Sequence, residues 1–131
     1  MRRLLPLAAL LLVAGPAPAQ REPEWRVTSE QDVLLRPWAI EPRRIRLEAD
    51  RPVRLRFVNQ GRASHSFSAE RFFRSARLRP RDQDVARRGG LRLAPGERRT
   101  IALVPARGRY GAGSRNAVQW ALGMRGEIVV E

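Results

Sequence analysis

His65 is the only histidine in the 131 residues, and the chain contains no cysteine. Near the C-terminus the run "SRNAVQWALGMRGEIVV" (residues 114–130) gathers Ser114, Asn116, Gln119 and Met124. A nucleophilic serine needs a base and a group that orients the base. Ser114 follows Gly111-Ala112-Gly113, but the stretch is not a G-x-S-x-G turn between a strand and a helix. His65 is the single candidate base and no orienting acid can be named, so the chain is not read as an enzyme. Ser114, Asn116 and Gln119 can instead satisfy one another as a hydrogen-bonded cluster. Asp82-Gln83-Asp84 has the look of half a metal or phosphate motif, yet Arg79, Arg81, Arg87 and Arg88 flank it. Neutralised surface pairs are the expectation there.

The elements that must position these residues read as short strands. Ile45, Leu47 and Ala49 alternate with Arg44, Arg46 and Glu48, and Val53, Leu55 and Phe57 alternate with Arg54 and Arg56. Ile101 and Leu103 alternate with Thr100 and Ala102. A strand ending in Tyr110 leads into the 114–130 run, and Glu127 to Val130 forms the last strand. Turn signals separate the strands at Ala49-Asp50-Arg51-Pro52, Asn59-Gln60-Gly61, Ala94-Pro95-Gly96-Glu97 and Arg107-Gly108. Short strands at regular spacing with one apolar face predict an all-β Greek-key sandwich or barrel. Residues 70–88, "ERFFRSARLRPRDQDVARR", break the alternation and predict a short helical excursion. Phe72, Phe73 and Ala76 should face inward from it, and Asp82 should cap a second turn.

The chain opens like a secretory signal peptide. Arg2 and Arg3 precede an apolar run from Leu4 to Val13, followed by the small residues Ala17-Pro18-Ala19. That run is shorter than the roughly 20 residues a membrane span needs. No cysteine follows it, which excludes a lipoprotein-type anchor. We expect cleavage after Ala19, a periplasmic or secreted protein, and one domain over residues 20–131 with no transmembrane segment. Without cysteine, its stability must come from packing and strand pairing. The formal charge is +13, and 24 arginines face 13 acidic residues once Arg2 and Arg3 are removed. Every basic residue is arginine, which has two readings: codon bias in a GC-rich genome, or a surface suited to anionic partners. The partner expected is another exported protein or an anionic surface. Export makes nucleic acid the least expected.

Landmark order brings in a family. Residues 32–67, "DVLLRPWAIEPRRIRLEADRPVRLRFVNQGRASHSF", resemble the first half of a plastocyanin-like cupredoxin, with an Asn-x-Gly turn and then His-x-Phe. "LAPGERRTIAL", "GRY" and "GMRGEIVV" resemble its second half. The resemblance implies a single type-1 copper site used for electron transfer or copper handling. Such a site needs two histidines and a cysteine thiolate, with a weak axial methionine or glutamine. On the family's C-x4-H-x4-M loop, His65 matches the upstream histidine and Met124 the axial methionine. Ser114 stands at the cysteine, Gln119 at the second histidine, and Asn116 where one branch of the family has a further histidine. The expected reading is a binding or accessory module without a type-1 cofactor. The alternative is weak copper binding through His65 and Met124, since one imidazole and one thioether suit Cu(I). Three residues keep plainer readings: His65 as a hydrogen-bonded histidine, Met124 as core filling, and Trp120 as either packing or a partner surface.

Overall fold

A computed structural model describes Gly15, residues 22–26 and residues 29–131. The signal-like segment and its cleavage point, Gly15 apart, lie outside the described residues. The strands are β1 (Ser29–Arg36), β2 (Ala39–Glu41), β3 (Arg44–Leu47), β4 (Val53–Asn59), β5 (His65–Ser68), β6 (Arg77–Leu78), β7 (Gly90–Leu93), β8 (Arg98–Val104), β9 (Gly108–Gly113) and β10 (Arg125–Val130). They form two five-stranded sheets, ordered β2-β1-β4-β8-β6 and β3-β10-β9-β5-β7. Strand pairs β1–β4 and β3–β10 are parallel and the others antiparallel. This is the all-β sandwich that the alternation predicted.

The alternation works as a packing code. Val53, Leu55 and Phe57 of β4 point into the core, as do Ile45 and Leu47 of β3 and Ile101 and Leu103 of β8. Tilted and edge-on aromatic contacts tie the two sheets and the excursion together. Phe57 meets Phe67 at 4.9 Å between centroids, Phe72 meets Phe73 at 5.2 Å, and Phe72 meets Tyr110 at 5.5 Å. The Tyr110 hydroxyl then donates back to the Ala106 carbonyl at 3.0 Å, pinning the β8–β9 corner.

Several boundaries differ from expectation. Tyr110 sits inside β9 rather than at its end, and β10 starts at Arg125, two residues before Glu127. Ala49 lies beyond β3 in the turn that follows it. Ala102, expected on the solvent face, is fully buried because the excursion folds over β8. There Arg79 N–H donates to the Ala102 carbonyl at 2.9 Å.

The excursion contains α1 (Glu70–Ser75), β6, a single 3-10 turn over Pro80–Asp82, and α2 (Gln83–Arg88). Phe72 and Phe73 are buried as expected, and Ala76 packs against the core in part. Asp82 stands at the start of α2, but its carboxylate caps nothing. It is buried, and accepts instead from Ala102 N–H at 3.0 Å and from Arg79 Nε at 2.9 Å. Of the arginines expected to neutralise Asp82 and Asp84, only Arg79 does so. The other partner is Arg99 from β8, which grips Asp84 with both guanidinium arms at 2.7 and 2.9 Å. The hydrogen bonds from Arg99 hold the Asp84 carboxyl below its ordinary value of 3.8.

That shift has a signed consequence. A carboxylate with a lowered folded-state pKa stabilises the fold above its unfolded value and loses that contribution as pH falls through the folded one. Urea midpoints should therefore drop as pH is taken below about 4, where the unfolded carboxylate begins to bind its proton. Asp84→Asn should flatten this acid limb. An unchanged limb in the variant would show that Asp84 does not drive it.

Candidate functional site at one end of the sandwich

The parallel register that sets Leu35 opposite Asn59 brings the β1–β2 turn beside the 60–64 turn. The β7–β8 turn joins them, because Gly96 N–H donates to the Asn59 carbonyl at 3.0 Å. The β9–β10 connection closes the same end: Ser114 N–H donates to the Met124 carbonyl at 2.8 Å, and Gly123 lies against the Trp38 backbone. His65, Ser114, Asn116, Gln119 and Met124 all belong to this end.

His65 opens β5 and shares its inward face with Phe67. It is buried, and its Nδ1 has no hydrogen-bond partner among the described residues. The reading of a hydrogen-bonded histidine does not hold for that nitrogen. Gly61 covers the other one so closely that a Cβ there would lie 2.6 Å from His65 Nε2. Met124 is fully buried within the hydrophobic core.

Ser114, Asn116 and Gln119 are tied to each other. Ser114 Oγ donates to Gln119 Oε1 at 2.8 Å and accepts from Asn116 N–H at 3.1 Å. Asn116 Oδ1 caps the short helix α3 (Ala117–Ala121) by accepting from Gln119 N–H. Ser66 Oγ accepts from Arg115 N–H at 2.9 Å and anchors the loop to β5. The cluster is satisfied by its own hydrogen bonds.

A type-1 copper centre does not fit these residues. The cysteine place holds a hydroxyl, a hard oxygen that is not ionised cheaply, and that hydroxyl already serves Gln119 and Asn116. Among the described residues no group of three or more His, Cys, Asp or Glu is placed to hold a metal ion. One feature points the other way: the orphaned His65 Nδ1 is a buried donor atom with nothing to bind.

Residue-by-residue reading missed the surface of this end. Helix α3 buries none of its residues. Val118 and Leu122 are 63% and 56% exposed, and Trp120 and Trp38 are 48% and 52% exposed. Trp120 packs over this end, the first of its two expected roles. Its ring lies on Gly113, where a Cβ would come within 2.7 Å of Cδ1, and its outer half stays open to solvent. Arg125 stacks over that ring at 4.8 Å. The spacing of Val118 and Leu122, four apart with Trp120 between them, was the available signal.

A family model described as a cupredoxin-like domain matches residues 3–130. Among solved structures, auracyanin B superposes with a TM-score of 0.58 at 19% identity, over 86% of this chain and 92% of that one. Reduced auracyanin from the photosynthetic bacterium Roseiflexus castenholzii gives 0.56 at 17% identity, over 79% of this chain and 98% of that one. A multicopper oxidase from Campylobacter jejuni, a metallo-oxidase, gives 0.61 at 10% identity, over 88% of this chain but 32% of that one. At such identities the likeness is one of fold. No curated protein matches.

Proposed function

The chain belongs to the cupredoxin-like domain family, and from that premise we propose that it is an exported binding module that has lost type-1 copper. It docks a partner through the apolar end of its sandwich. The observation that carries this reading is the exposure of Trp38, Val118, Trp120 and Leu122 together at one end. Val118 and Leu122, four apart, share one face of the α3 segment, and exposed apolar patches mark interaction sites. Arg36, Arg43 and Arg62 are exposed on neighbouring segments, so an acidic exported protein suits the rim. The leader-like start of the sequence supports export, and among the described residues no helix is long and apolar enough to cross a membrane.

The test uses immobilised mature protein and an extract of the compartment it is exported to. A partner should be retained by the wild type, released by salt, and lost on Val118→Ser with Leu122→Ser. Both positions are exposed, so the variant should keep its fold. Equal retention by both proteins would overturn the docking surface. Copper at one equivalent in protein purified from its own compartment would overturn the loss of type-1 copper.

One observation favours a second reading, in which the protein keeps a soft ion weakly through His65 and Met124. It is the unpartnered Nδ1 of a buried histidine. Competition with a Cu(I) chelator tests it: His65→Phe should abolish any measured affinity.

A further inference from the structure

We propose that a second site, on the β5–β7 side of the β3-β10-β9-β5-β7 sheet and bordering the apolar end, binds a phosphoryl group. A pocket of about 440 Å³ lies there between β5, β7, α2 and the β9–α3 loop. Arg88 reaches it from α2, Arg92 from β7 and Arg115 from the loop, while Ser64, Ser66 and Gln119 add short polar groups. The pocket's one carboxylate, Asp84, is already held by both arms of Arg99. Among the described residues, Arg88, Arg92 and Arg115 take part in none of the ten ion pairs.

Arg88 and Arg92, four residues apart, and Arg115 from the loop therefore line one concavity whose single carboxylate is already paired. An anion seated there would be attracted by all three exposed charges at once. Ser66 Oγ accepts from Arg115 N–H and anchors the loop beside the pocket. A single guanidinium fork saturates the two oxygens of a carboxylate. Three forks together suit a tetrahedral anion with three or four free oxygens, and the serine hydroxyls and the Gln119 amide can supply neutral donors. The chemistry is that of a phosphoryl group, free in solution or carried by a lipid headgroup.

Inorganic phosphate added at constant ionic strength to ¹⁵N-labelled protein tests this. Amides of Ser66, Arg92, Arg115 and Gln119 should shift along one saturating curve. Arg92→Gln, an exposed strand position, should weaken binding about tenfold, the size expected for one charge-assisted contact. Arg46→Gln, which sits at another pocket of the surface, should leave binding unchanged. A second arm uses vesicles of phosphatidylglycerol against vesicles of phosphatidylcholine. Binding to the former that depends on Arg92, with no response to inorganic phosphate, assigns the phosphoryl group to a lipid and upholds the site. Equal weakening by Arg46→Gln in either arm, or no saturable binding in both, overturns it. Failure here leaves the apolar docking end untouched, because neither Val118 nor Leu122 lines this pocket.

Discussion

Mixed with Cu(II), the wild-type protein should show no intense visible absorption, whereas Ser114→Cys combined with Gln119→His should turn it blue or green. Strong sulfur-to-copper charge transfer requires a thiolate, and this chain has none. The geometry favours the variant. Ser114 Oγ and Gln119 Oε1 touch at 2.8 Å, so a thiolate and an imidazole placed there would be neighbours. Asn116 N–H, now bonded to Ser114 Oγ, would be available to the sulfur. The Ser114–Met124 backbone bond keeps the thioether's residue beside the loop, and Ser114 Oγ lies 3.5 Å from Ser66 Oγ, on the strand residue next to His65, whose buried Nδ1 has no partner among the described residues. Asn116 is left alone, because the simpler family loop needs no ligand there. A folded double variant that takes up copper without colour would mean that Ser114 and Gln119 do not occupy the places of the lost ligands.

The sequence made the sandwich legible because burial on one face of a strand writes itself as period-2 alternation. Leu55, Phe57 and Ile101 could be placed in the core on that basis alone. It failed where a third layer intervenes. Ala102 reads as an outward residue by period, but the 77–84 segment lies over it, and such a cover comes from tertiary structure that no local pattern encodes. Asp82 failed for the same reason. Its position before a helical turn suggested a cap, yet a buried N–H on β8 and the Arg79 guanidinium offered better partners. The candidate site was legible as a set of residues at family spacings. Its hydrogen bonding was legible only in outline, since the chain says which groups can pair but not which do. The arginine pocket was invisible, because Arg88, Arg92 and Arg115 come together only when α2, β7 and the loop are folded.

Replacing Asn59 by alanine should cost more than any other change at this end, about 3 kcal/mol from the several buried polar groups it would orphan. Asn59 reads in sequence as a turn residue, but it is fully buried as the last inward position of β4. Its Oδ1 accepts from Gly61 N–H at 2.9 Å, and its Nδ2 donates towards the carbonyls of Ala63, Leu93 and Ala94 at 2.9, 3.1 and 3.1 Å. Three carbonyls share two N–H groups, and only this amide orientation serves them. One side chain thus fastens the 60–64 turn, the end of β7 and the β7–β8 turn, and it seats Gly61 against His65. Alanine would leave the buried Leu93 carbonyl and the Gly61 N–H without partners. Urea unfolding should show a lower midpoint with an unchanged slope, and the His65 ring resonances should shift as its cover loosens. Asn59→Asp separates hydrogen bonding from volume. A carboxylate can still accept from Gly61 but cannot donate to three carbonyls, so at neutral pH this variant should be at least as unstable as the alanine one. Protonation restores one donor to a buried acid, and stability should partly return as pH falls. A loss below about 1 kcal/mol in both variants, the size of an ordinary single hydrogen bond, would mean that Asn59 does not fasten this end of the sandwich.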